Sequence, residues 1–262
     1  IDYIIQECRE SQDEDGWEDY YSYREDDYET PTHLVSLHQF ALDIAMLVDE
    51  TQYEDACEGA IYYFRAISEL LGEEYIEDSS SLISCAVNLL EVIYHILNPQ
   101  QHRTCFELIF QLLISDHIFY EADNLLEMWE EKFATPEILA DRIIYAKEQL
   151  QQLSENGDSH QIATWVLIIL KSYTKMGIIN GKRLVYINRY IKLEEVATYY
   201  IKELFTEHDY REVINRSEVF LKDKEPYSYK ELYSILKDSY QKVGESGHHQ
   251  RVLSYMLTNR IF

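Results

Sequence analysis

The stretch Asp13-Glu14-Asp15-Gly16 places carboxylates at alternate positions ahead of a glycine, the way a loop wraps a calcium ion. Counted from Ser11, the residues Asp13, Asp15 and Gly16 keep the register of such a loop. The twelfth position, however, is Ser22, where a bidentate glutamate is needed. Trp17 and Tyr20 are poor company for a hard cation, so only weak divalent association is expected there. A second constellation, Gly177 to Lys182 (GIINGK), has the look of a phosphate loop. It carries three residues between its glycines instead of four, and Arg183 follows the lysine where Ser or Thr belongs. It therefore reads as a connection between helices. His248-His249 with Glu245 offers metal-ligating atoms, yet neighbouring residues on a helix point to different faces. His102 precedes Cys105 by one turn, but no Asn, Asp or Gln stands where it completes a nucleophilic set. GxSxG and HExxH are both missing. The expectation is no catalytic residue, no metal ligand, no cofactor and no small-molecule substrate.

Charge is distributed with a sharp break. The first lysine is Lys132: residues 1–131 hold 31 acids against four arginines, whereas residues 132–262 hold 17 acids against 19 Lys and Arg. The formal net charge of −25 therefore belongs to the first half. Residues 10–29 are its densest part, with ten acids interleaved with Trp17, Tyr20, Tyr21, Tyr23 and Tyr28. So acidic a surface repels nucleic acid and anionic membrane and attracts a cationic protein surface. Exposed aromatics among those acids are the residue types that anchor interfaces. The candidate partner-binding residues are accordingly Asp13, Glu14, Asp15, Trp17, Glu18, Asp19, Tyr20 and Tyr21. The competing reading is a folded cap whose aromatics pack on the first helix.

The elements that must position these residues read as helices. Apolar residues recur at spacings of three and four: Leu34, Leu37, Ala41, Ile44, Val48; then Tyr53, Ala56, Ala60, Phe64, Ile67, Leu71; then Leu82, Cys85, Leu89, Val92, Ile96. Further stripes run through Cys105 to Leu112, Ala122 to Phe133, Leu139 to Leu153, Ile162 to Met176, Leu184 to Ile191, and on to Leu257. No strict alternation competes with them. Eight glycines and four prolines are too few for a turn-rich β protein. The stops also make chemical sense. Thr135-Pro136-Glu137 combines a capping hydroxyl, proline at the first helical position and an acid in the first turn. Gly72, Gly177 and Gly244 follow apolar stripes where a left-handed residue closes a helix. Pro99 and Pro226 mark further boundaries. About twelve helices result.

The last helices pair. A shift of 39 residues superimposes Leu193 on Leu232, Val196 on Ile235, Leu204 on Val243 and Val213 on Val252. A helical pair cannot bury both apolar stripes alone, so it stacks on its neighbours. The expected fold is all-α, an irregular α-solenoid of antiparallel hairpins like tetratricopeptide repeats; a non-repeating helical bundle is the alternative. An acidic N-terminal half (1–131) and a repeat-like C-terminal half (132–262) would form one array. The four cysteines show no CxxC pairing and, Cys8 apart, fall in apolar stripes. They read as reduced and structural, in keeping with a cytoplasmic protein. No apolar run reaches the roughly 20 residues a bilayer requires. The opening IDYIIQECRE has no secretion-signal pattern and no initiator Met, which reads as part of a longer chain.

The Gly16-Trp17 and Asp19-Tyr20-Tyr21 stretch, the long helix after it, Tyr53-Glu-Asp-Ala-Cys-Glu-Gly-Ala60 and the polar Asp78-Ser79-Ser80 occur in an order with a known counterpart. It resembles the helical region that follows the zinc finger in bacterial SWIM-finger proteins. The likeness spans most of residues 1–258. It implies the helical-repeat portion of a cytosolic bacterial protein, with a polar turn between two helical pairs before looser repeats. The CxC…CxH zinc ligands are absent, so no metal ligand carries over. These readings favour a non-catalytic protein-interaction or scaffolding module that docks a basic protein surface through its acidic half, with no direct nucleic-acid or membrane binding. A regulatory region that positions a zinc-finger or enzyme domain, and a DNA mimic, are the alternatives.

Overall fold

The computed structural model describes residues 32–73, 79–114, 123–153, 157–178, 181–222 and 224–260. The candidate residues between Asp13 and Tyr21 lie outside them. The described residues form twelve α-helices, one 3-10 turn and no strand. They divide into two compact units, the first closing at Ala134 and the second opening at Thr135.

In the first unit α1 (Thr32–Asp49) and α2 (Tyr53–Glu73) form a hairpin, followed by α3 (Ser79–Ile93), α4 (Pro99–Leu113) and α5 (Asp123–Lys132). Helix α1 packs on α2 and α3, α2 on α3 and α4, and α5 on α3 and α4. Leu37, Ala41 and Ile44 from α1 meet the stripe Ala56, Ala60, Phe64, Ile67 and Leu71 from α2, all buried. At Gly59 the helices come so close that an added Cβ would stand 3.0 Å from Ile44 Cγ1. Asn98 caps α4 in a reciprocal capping box with Gln101, and Pro99 takes the first helical position, where its missing N–H costs nothing.

Three sequence expectations shift here. Gly72 does not end a helix; α2 runs through it to Glu73. Tyr53 and Val92 belong to apolar stripes by spacing, yet both are exposed, and on α3 the buried face is Leu82, Ile83, Ala86, Leu89, Leu90 and Ile93. A 3.6-residue helix lets a stripe written at spacings of three and four drift sideways, so one end of the pattern leaves the core.

The second unit holds α6 (Pro136–Gln152), α7 (Ser159–Lys175), α8 (Lys182–Tyr190), α9 (Glu194–Thr206), α10 (Tyr210–Leu221), the 3-10 turn Pro226–Tyr229, α11 (Lys230–Lys242) and α12 (Ser246–Thr258). Thr135 caps α6 through its hydroxyl, which accepts from the Ile138 N–H, as the Thr-Pro-Glu signal predicts. Helix α9 is central, packing on α7, α8, α10 and α11. Its Val196, Tyr200, Ile201 and Leu204 join Val166 and Leu170 of α7 and Leu232 and Leu236 of α11 in one core. On α8 the stripe predicted from Leu184 turns outward: Leu184 and Val185 are exposed, and Arg183 and Ile187 face inward.

The last two helical pairs are offset by 36 residues, where apolar spacing suggests 39. Helix starts move from 194 to 230 and from 210 to 246. Turn hydrogen bonds keep the same offset: His208 to Phe205 and Asp209 to Leu204 recur as Gly244 to Gln241 and Glu245 to Tyr240. A slip of three residues returns almost to the same helix face, so apolar spacing alone cannot tell the two offsets apart.

Those paired bonds are the helix-ending motif that requires a left-handed residue. It occurs at Gly177 (φ 70°) and Gly244 (φ 82°), but also at Thr51 (φ 63°) and His208 (φ 65°). A β-branched residue is the least suited to that conformation. Thr51→Gly is therefore expected to raise stability by about 0.5–1 kcal/mol, the relief of strain exceeding the extra chain entropy of glycine. His208→Gly should gain less, because the ring accepts or donates a 3.0 Å hydrogen bond with the Tyr210 hydroxyl. Denaturant titration checks both, and a loss of stability in Thr51→Gly contradicts the strain argument.

Candidate functional site: charged surfaces and two cation-lined grooves

The residues most suited to covalent chemistry are placed where chemistry is suppressed. Cys105 is fully buried, and desolvation pushes its thiol up to about 12, with Cys57 adding to the effect. Burial likewise raises Cys57. A thiol held protonated is a weak nucleophile. His102, one turn earlier, stacks on Tyr94 with ring centroids 4.6 Å apart and hydrogen-bonds the Tyr94 carbonyl at 2.8 Å. His248 stacks on Tyr240 and sits 3.1 Å from Glu245. Among the described residues no group of three or more His, Cys, Asp and Glu is placed to hold a metal ion. Gly177 and Lys182 flank the connection from α7 to α8.

The described part of the first unit is densest in acid on the α1–α2 hairpin. Asp43, Asp49, Glu50, Glu54, Asp55, Glu58 and Glu69 are all exposed there, and Arg65 is the one Lys or Arg from residue 32 to residue 73. Leu42, Met46, Tyr53 and Tyr62 are exposed on the same two helices. Acids and uncovered apolar side chains are thus interspersed.

Two grooves among the described residues of the second unit are opposite in character to that hairpin. One, of about 460 Å³, is lined by Ala197 and Ile201 of α9, by Arg216, Val219 and Phe220 of α10, and by the loop residues Lys192 and Lys224. Arg216 is committed locally: Glu212 accepts from its Nε at 2.7 Å, and this hydrogen bond holds the Glu212 carboxyl below its ordinary value. Lys224 lies over the Phe220 and Tyr229 rings.

The other groove, of about 420 Å³, lies among α6, α7 and α8. Leu150 and Ile162 form its apolar part, Tyr186 and Tyr190 its aromatic wall, and Lys147, Gln151 and Arg189 its polar groups. Burial raises the Tyr186 phenol, while Lys147 and Arg189 pull it back. Spacing of apolar residues gives no sign of this groove, since its members come from three helices and only two of the seven, Leu150 and Ile162, are aliphatic.

Among the described residues no helix is long and apolar enough to cross a membrane. No family model, curated protein or solved structure matches this chain.

Proposed function

We propose that the chain is a non-catalytic protein-interaction module, an irregular tetratricopeptide-like α-solenoid whose acidic half docks a basic protein surface. The observation that carries this reading is the α1–α2 hairpin, which exposes seven acids together with uncovered Leu42, Met46, Tyr53 and Tyr62 and holds a single arginine. A one-sign field speeds and selects encounters, and aromatic or apolar anchors then hold the complex. The solenoid part of the reading is supported by packing order: the substantial helix contacts link elements one or two apart in the chain. That is the neighbour-on-neighbour logic of stacked hairpins. Residues 10–29, outside the described residues, carry the same mixture of acids and aromatics in sequence.

The test is affinity capture with the full chain, with a variant neutralised at Asp49, Glu50, Glu54, Asp55 and Glu58, and with one neutralised at Asp13, Glu14, Asp15, Glu18 and Asp19. Partners should be basic and should be lost as salt shortens the screening length from about 10 Å toward about 3 Å. At least one neutralised variant should lose them as well. Partners recovered equally by all three chains at high salt would reject the docking face.

A further inference from the structure

The groove among α6, α7 and α8 carries a charge that the protein leaves unbalanced. Lys147 Nζ donates to the Tyr173 hydroxyl at 3.2 Å and lies 5.8 Å and 5.9 Å from the Tyr173 and Tyr186 ring centroids. Arg189 stands 5.2 Å over the Tyr190 ring. Among the described residues neither cation has a carboxylate within ion-pair distance. Other cations of the same unit are paired: Arg183 with Glu203, Lys202 with Glu231 and Arg216 with Glu212. Two cations held by tyrosine rings and hydroxyls are fixed in place without being neutralised, which is what an anion receptor needs.

The rest of the groove specifies more than an anion. Tyr186 and Tyr190 are nearly parallel, 17° apart, and their faces are the natural seat for a flat ring. Leu150 and Ile162 supply an apolar floor, and Gln151 offers both a donor and an acceptor at the rim. A volume of about 420 Å³ is much more than an inorganic ion fills and falls in the range of small-molecule sites. Two cations are too few to track a nucleic-acid backbone, and the chain's net charge of −25 opposes such a polymer.

We propose that this groove binds a small flat aromatic anion, its ring against Tyr186 and Tyr190 and its carboxylate or phosphate toward Lys147 and Arg189. The site is separate from the acidic hairpin and stands whether or not that surface docks a protein.

Calorimetric titration of the full chain tests it with two anionic probes, 2-naphthoate and adenosine 5′-monophosphate. Their neutral counterparts 2-naphthamide and adenosine, and inorganic phosphate alone, serve as comparisons. At least one anionic probe is expected to bind with Kd below about 1 mM, about tenfold or more tighter than its neutral counterpart and than phosphate. Which one binds distinguishes a carboxylate from a phosphate ligand. Lys147→Gln and Arg189→Gln should each weaken it about tenfold, and Lys147→Arg should retain it. The helical circular dichroism of each variant shows whether it remains folded. No binding of either anion below about 1 mM overturns the proposal, as does equal binding of the neutral probes or of phosphate. So does unchanged affinity in both glutamine variants, or loss of affinity in a folded Lys147→Arg.

Discussion

Arg183→Met is expected to destabilise the second unit by about 3–5 kcal/mol, far beyond a typical surface substitution. Arg183 is 3% exposed at the start of α8 and pairs with Glu203 of α9, which also accepts from the Thr174 hydroxyl of α7 at 3.1 Å. The pair thus ties three helices together at one point. Removing the guanidinium strands a nearly buried carboxylate, and Glu203→Met strands a cation that no other described acid approaches. The cost in either case is mainly the desolvation of the orphaned charge. The double variant Arg183→Met/Glu203→Met removes both charges and should recover most of the loss, because an apolar pair of similar volume commonly replaces a buried ion pair without penalty. A double-mutant cycle by denaturant titration reads the coupling. Hydrogen exchange should place the loosened amides in α7, α8 and α9. Single substitutions that cost under about 1 kcal/mol, or a double variant as unstable as the sum of the singles, sink this account.

Arg183 also marks where sequence reading stops. Arginine is seldom buried, so an apolar-stripe search passes over it and assigns the inward face of α8 to Leu184, which is exposed. Its partner lies on another helix at a distance no local motif encodes. Glu130 and Arg142 escape notice for the same reason, both buried within stripes written from apolar residues alone. Helix existence, in contrast, was readable, because it depends on local chemistry. Thr135-Pro136 and Asn98-Pro99 start helices, Gly177 and Gly244 end them, and Lys175 and Lys242 stand in the last turns where the helix dipole favours a cation. Apolar spacing puts the offset between the last two hairpins one near-turn away from the value that the backbone hydrogen bonds fix. The acidity of the first half was equally plain from composition, but the cation-lined grooves were not. Their residues are brought together by the packing of separate helices and loops, and none is unusual in its own segment.

Trp129→Ala is expected to remove about 3–5 kcal/mol from the first unit, the range for truncating a fully buried large aromatic. Trp129 is wholly buried on α5, its ring parallel to Phe106 at 5.0 Å between centroids and stacked at 6.1 Å on Phe110. Its indole N–H donates to the Phe106 carbonyl at 3.1 Å. Phe106 in turn meets Phe133, which meets Tyr94 edge-on, so one aromatic cluster joins α4, α5 and the end of α3. Truncation would open a cavity that these rings, held by one another, cannot collapse to fill. Trp129→Phe keeps most of the stacking but loses the hydrogen bond and part of the volume, and should cost about 1–2 kcal/mol. The two substitutions separate cavity from hydrogen bond. Equal losses in both would assign the stability to the N–H, and a loss under about 1 kcal/mol in Trp129→Ala would show that the cluster does not hold the unit together. Hydrogen exchange should loosen α3, α4 and α5 while leaving α9 protected, because α9 draws its core from the other compact unit.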